Sequence, residues 1–139
     1  MDASPLHYLA AAEYAEEILN DVEDTIDLLL EDVRELEAAL YRSGEADGEV
    51  ITKLAEARNL LINAKHEARE LRAALREIRH GNRLDAYHRG YEEFLAKKTS
   101  DLLSRALALM DLPEKALNLI KEVGVRLGTD DVGDKALVF

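Results

Sequence analysis

Apolar residues recur every three or four positions from Tyr8 to Val123, and glycines mark most of the breaks between runs. That spacing lines one face of an α-helix, whereas a half-buried strand alternates every second residue. The first run predicts a helix over residues 5–42. Its seam is Tyr8, Ala11, Ala15, Ile18, Val22, Ile26, Leu29, Val33, Leu36 and Leu40. All ten fall close to one line along the helix, a narrow stripe of the coiled-coil kind. Ser4-Pro5 supplies an N-cap with proline at the first helical position, and "YRSGEADGE" supplies a glycine-rich turn after it.

The second run predicts a helix over residues 49–80. Val50, Leu54, Ala57, Leu61, Ala64, Ala68, Leu71, Leu75 and Ile78 form its seam, with spacings of three and four after Val50. The alanines imply close approach of a neighbouring helix. Arg58, Lys65, Arg72 and Arg79 stand seven apart beside this seam, where ion pairs between helices form. Gly81-Asn82 reads as a stop, since glycine favours the left-handed residue after a helix. A third helix is predicted over residues 83–110, with Leu84, His88, Tyr91, Leu95, Thr99, Leu102, Ala106 and Leu109 inward. Gly90 falls on its outer face, a weakening of about 1 kcal/mol relative to alanine that need not end the helix. A short fourth helix follows over residues 113–123, opened by Pro113. The stretch "GVRLGTDDVGDKALVF" shows three glycines and no helical period.

The fold expected is all-α: an elongated antiparallel bundle of three long helices, a short fourth helix and an extended C-terminal tail. Residues 1–123 form the helical domain and residues 124–139 the tail. No strand–helix–strand alternation is present, and a chain of 139 residues is the size of one domain.

Charge is distributed unevenly. Residues 1–50 hold 15 acids and 2 bases, residues 51–99 hold 7 and 11, and the whole chain has a net charge of −11. The acidic excess disfavours nucleic acid and anionic membranes as partners. Six arginines from Arg69 to Arg89 are interleaved with Glu70, Glu77 and Asp85, so they do not make a basic footprint. There is no cysteine, which excludes disulfides, thiolate metal sites and a cysteine nucleophile. No run reaches the roughly 18 apolar residues of a membrane span. The opening "MDASPLHYLAAAEYAEE" lacks the basic start of a signal peptide. A cytoplasmic or otherwise intracellular location is expected.

Candidate chemistry is thin. Glu77-Ile-Arg-His80 and Asp85-Ala-Tyr-His88 bracket the Gly81-Asn82 stop, and a chain reversal there brings two carboxylates and two histidines to one end. That donor set suits zinc or another divalent ion. Ferritin-like di-iron bundles also use Glu-x-x-His, but in mid-bundle and with two further glutamates. The bland alternative is a histidine near a helix C-terminus and a buried polar histidine. "EDTID", from Glu23 to Asp27, loosely resembles the acidic helix motif of all-α nucleotide pyrophosphohydrolases. Its necessary second carboxylate cluster is missing, since Glu67 and Glu70 sit among arginines. No phosphate-binding glycine loop, nucleophile elbow or H-E-x-x-H is present.

The function expected is therefore non-enzymatic and without a cofactor. The chain reads as an interaction or assembly module, a subunit or adaptor that binds a protein partner or itself. The residues expected to meet that partner are Asp24, Asp27, Leu28, Glu31, Leu107, Leu137, Val138 and Phe139. One alternative is a helical metalloprotein or carboxylate-dependent hydrolase at the Glu77, His80, Asp85, His88 end. A second is an acidic regulator that occupies a basic site on its target.

Overall fold

The structure, a computed structural model, describes residues 5–44, 47–80 and 90–127. Among these residues there are four helices and no strand. They are α1 (Pro5–Ser43), α2 (Gly48–His80), α3 (Tyr91–Leu109) and α4 (Asp111–Leu127). At 1.5 Å per residue, α1 is about 58 Å long and α2 about 50 Å.

Local sequence explains the ends. The Asp47 carbonyl accepts the first helical bond of α2 from Ile51 N–H, and the Asp47 Oδ1 accepts from Glu49 N–H at 3.0 Å. Asp47 is thus the N-cap. Gly44 closes α1 at a φ of 68°, in the left-handed region that glycine enters without penalty.

All nine residues of the α2 seam are buried, three alanines included. The α1 stripe is wider than its expected line. Ala12 and Leu19 are fully buried, and Glu16 and Asp32 are buried as well. The reason is packing on several sides, for α1 touches α2, α3 and α4, not one partner along one seam. One apolar core runs through all four helices, from Ala12 to Val123. Each fully buried Leu, Ile or Val in it is worth roughly 1.5–3 kcal/mol of transfer free energy.

The expected third helix differs at its start, and ends where expected. α3 begins at Tyr91, because Gly90 sits just before it at a φ of 86°. Gly90 is a turn residue and not an outward position within a helix; residues 83–89 lie outside the described residues. At the other end, Met110 keeps helical dihedrals, and its N–H turns to the carbonyls of Leu107 and Ala108. Pro113, three residues on, has no N–H to give to Leu109, so the hydrogen-bond ladder breaks here.

The apolar stripe does not break. Leu95, Thr99, Leu102, Ala106, Leu109, Pro113, Ala116, Ile120 and Val123 are buried with steps of three and four across Met110. Leu127 continues the spacing and packs on the same core. This corrects the short fourth helix. α4 has 17 residues to the 19 of α3, and it runs through the buried Gly124 into residues 124–127, expected to be tail. The two share one seam as successive halves of a third arm. The rest of the expected tail, residues 128–139, lies outside the described residues.

Candidate interaction faces

The charges of α1 divide into two rows, and heptad spacing decides which row faces what. Glu16, Glu23, Leu30 and Glu37 stand seven apart on one flank of the α1 stripe. Opposite them stand Arg79, Arg72, Lys65 and Arg58. Arg79 binds the Glu16 carboxylate, and Arg76 reaches the same group at 4.0 Å. Arg72 lies 2.5 Å from Glu23 and donates to the Asn20 Oδ1 at 2.6 Å. Arg58 lies 3.7 Å from Glu37. Where the acid is replaced by Leu30, Lys65 turns to Asp27 at 2.5 Å. Partner numbers fall along α1 as they rise along α2, so the rungs run in opposite senses.

The other side of α2 meets the third arm. Glu67 pairs with Arg105 of α3 at 3.5 Å, and Lys53 pairs with Glu122 of α4 at 2.6 Å. Arg126 closes the far end on Glu49 at 2.7 Å, with Asp47 at 3.8 Å. Here the ion pairs shift the titrating groups. The Arg126 guanidinium first, and Lys53 after it, hold the Glu49 carboxyl below its ordinary range. The hydrogen bond to Glu122 raises Lys53, against desolvation. Glu16 likewise raises Arg79, and Glu49 raises Arg126. Near the start of α1, burial raises the Tyr8 phenol, with Glu92 and Tyr91 adding to it.

The second row of α1 points away from all of this. Glu17, Asp21, Asp24, Leu28, Glu31 and Glu35 follow one another at steps of four and three. The five acids are exposed, Leu28 is half-buried, and none of these acids has an ion pair among the described residues. Of the residues expected to meet a partner, Asp24 and Glu31 are in this row with Leu28. Asp27 is exposed but held by Lys65, so it belongs to the ladder. Leu107, on α3, is 44% exposed. Leu137, Val138 and Phe139 lie outside the described residues.

Beyond the Glu37–Arg58 rung the ladder loses its charge. The next opposed positions are Gly44 and Ile51, and a groove of about 880 Å³ between α1 and α2 spans both these positions and the Glu37–Arg58 rung itself. Leu40, Tyr41, Ile51, Leu54, Ala55 and Ile62 supply its apolar lining. Tyr41 is 89% exposed and Ile51 47% exposed. This groove is not among the faces expected from the sequence. Its signal was the substitution of glycine and isoleucine for acid and base in the seven-residue series.

Of the candidate metal residues, Glu77 and His80 are exposed on the last turn of α2, and Asp85 and His88 lie outside the described residues. Among the described residues no three His, Asp or Glu side chains converge for a metal ion. Within "EDTID", Glu23 and Asp27 are each engaged by a base of α2, and Glu67 is engaged by Arg105. No described helix is long and apolar enough to cross a membrane. Compared with known proteins, the chain matches no family model, no curated protein and no solved structure.

Proposed function

We propose that the protein is a non-enzymatic interaction or assembly module, a subunit or adaptor built as an elongated antiparallel helical bundle. One observation carries this reading. The α1 acids that face α2 are all engaged by bases, whereas the neighbouring row of Glu17, Asp21, Asp24, Glu31 and Glu35 is left without any. Like charges three and four residues apart each cost a few tenths of a kcal/mol. A chain able to place arginines at seven-residue intervals beside one row leaves the adjacent row bare, with Leu28 at its middle. A partner with basic groups around an apolar contact complements that row.

The test is retention of a partner from the native extract on the immobilised full chain. Wild type is expected to retain one, and the Asp24→Lys, Glu31→Lys double variant is expected to lose it. Asp27 is left intact, because reversing it disrupts the pair with Lys65. Equal retention by both proteins, or none by either, overturns the reading.

The bare row also favours the second alternative, an acidic regulator seated in a basic site of its target. The two are told apart at Leu28. Leu28→Ser is expected to release an assembly partner seated around an apolar contact and to leave a target held by acid alone still bound.

A further inference from the structure

We infer that the groove between α1 and α2 is covered by residues 136–139 of the same chain, with Leu137 and Phe139 laid against Tyr41, Ile51, Ala55 and Ile62. This goes beyond the interaction reading and does not rest on it. The groove carries no charge that selects an occupant, because its two charged lining residues, Glu37 and Arg58, are engaged with each other at 3.7 Å. Tyr41 is almost wholly exposed and Ile51 nearly half exposed. What covers such a surface is chosen by its own apolarity and by how close it already stands.

The end of α4 decides closeness. Arg126, one residue before that end, pairs with Glu49 and Asp47 at the start of α2. The chain thus leaves α4 at the end of the bundle where Gly44 and Ile51 line the groove. Ile51 is two residues on from Glu49, about half a turn round α2. The way between them passes round one helix, about 10–12 Å across with its side chains. Residues 128–135 reach about 27 Å when extended and span about 15 Å as a coil, so they suffice. The next four residues cover about 13 Å, against about 16 Å of α2 from Ile51 to Ile62.

Composition divides at the same point. The charges of the segment, Asp130, Asp131, Asp134 and Lys135, all precede residue 136, and Gly128 and Gly133 stand among them. Ala136-Leu137-Val138-Phe139 carries none. In an extended segment alternate side chains share a face, so Leu137 and Phe139 enter together while the backbone stays with water. A tether this short holds them beside the groove at an effective concentration in the millimolar range, which a separate protein must exceed.

The test is a spin label on the full chain. With no native cysteine, Lys135→Cys gives a single attachment point just before the docking residues. The label is expected to broaden the NMR signals of Ile51, Ala55 and Ile62. Phe139→Ser should abolish most of that broadening. So should Ala55→Gln, which crowds the groove at an exposed position outside the core. Broadening at Leu107 and Met110 in place of the groove assigns the segment to the exposed side of the third arm and overturns the inference. Broadening passed to an unlabelled chain mixed with the labelled one makes the occupant a second copy and overturns it likewise. Broadening at none of these residues, or broadening that both variants leave unchanged, also overturns it. None of these outcomes touches capture through Asp24 and Glu31, so the two readings fail separately.

Discussion

Two buried positions set the tolerances of the core. Ala64 is fully buried in the α2 seam, within the shared core of the helices. Ala64→Leu is expected to destabilise by about 1–3 kcal/mol through overpacking, read as a lower midpoint in urea. Thr99 is 1% exposed, and its hydroxyl has no hydrogen-bond partner among the described residues. An unsatisfied buried hydroxyl costs free energy that a methyl group of the same shape does not. Thr99→Val is therefore expected to hold or raise stability, by up to about 1 kcal/mol, and a clear loss in thermal unfolding shows that the hydroxyl has a partner. Both residues were legible as core from their spacing alone. Ala12 and Leu19 were not, because a single line through α1 cannot show how many neighbours it has.

At the scale of the helices, the ladder between α1 and α2 is uneven in strength. Glu23 is nearly buried and served by Arg72 and Arg69, whereas Glu37 and Arg58 are both open to water. Arg58→Ala is expected to change stability by less than about 0.5 kcal/mol, as exposed pairs do. Arg72→Ala leaves the Glu23 carboxylate short of its nearest base and should cost about 1–3 kcal/mol. A double-mutant cycle with Glu23→Gln measures the coupling. The tie between α2 and α4 has its own pH dependence. The folded pKa of Glu49 lies below its ordinary 4.5, so its contribution is present above that value and lost as pH falls through the folded value. Lys53 acts in the other sense, its contribution present below 10.5 and lost as pH rises through its raised value. Glu122, Asp47 and Arg126 share the cluster. Hydrogen exchange in the last turns of α4 is expected to quicken in acid before that of α1, and Glu49→Gln should flatten the difference.

The seven-residue series of bases on α2 was visible in the sequence, and the structure supplies its partners. They were visible too, since Glu16, Glu23 and Glu37 keep the same interval. What hid them was the density of acid around them, which makes every row of α1 look alike. The ends of the third arm were harder. The break before Pro113 was legible from the proline itself, whereas the run of α4 past Val123 to Leu127 was hidden by Gly124, which reads as the start of a tail. Gly90, placed by the same spacing on a helix face, was claimed by a turn that its positive φ allows.

For the molecule as a whole, α1 alone sets a length of about 58 Å, while a compact chain of this size has a radius of gyration near 14 Å. Small-angle scattering of the monomer is expected to give a clearly larger radius and a longest dimension near 60 Å. A profile matching a sphere, or a mass of two chains, contradicts a lone elongated bundle. The ladder bears on that same length. Apolar seams that repeat every seven residues fit equally well after a slide of one heptad, so they do not fix the register. The charged row does. Moved one heptad either way, α2 sets an arginine against Leu30, and three acid–base rungs become two. The loss falls at the ends, since the bases stop at Arg58 and Arg79, so the shortness of the ladder is what marks its alignment.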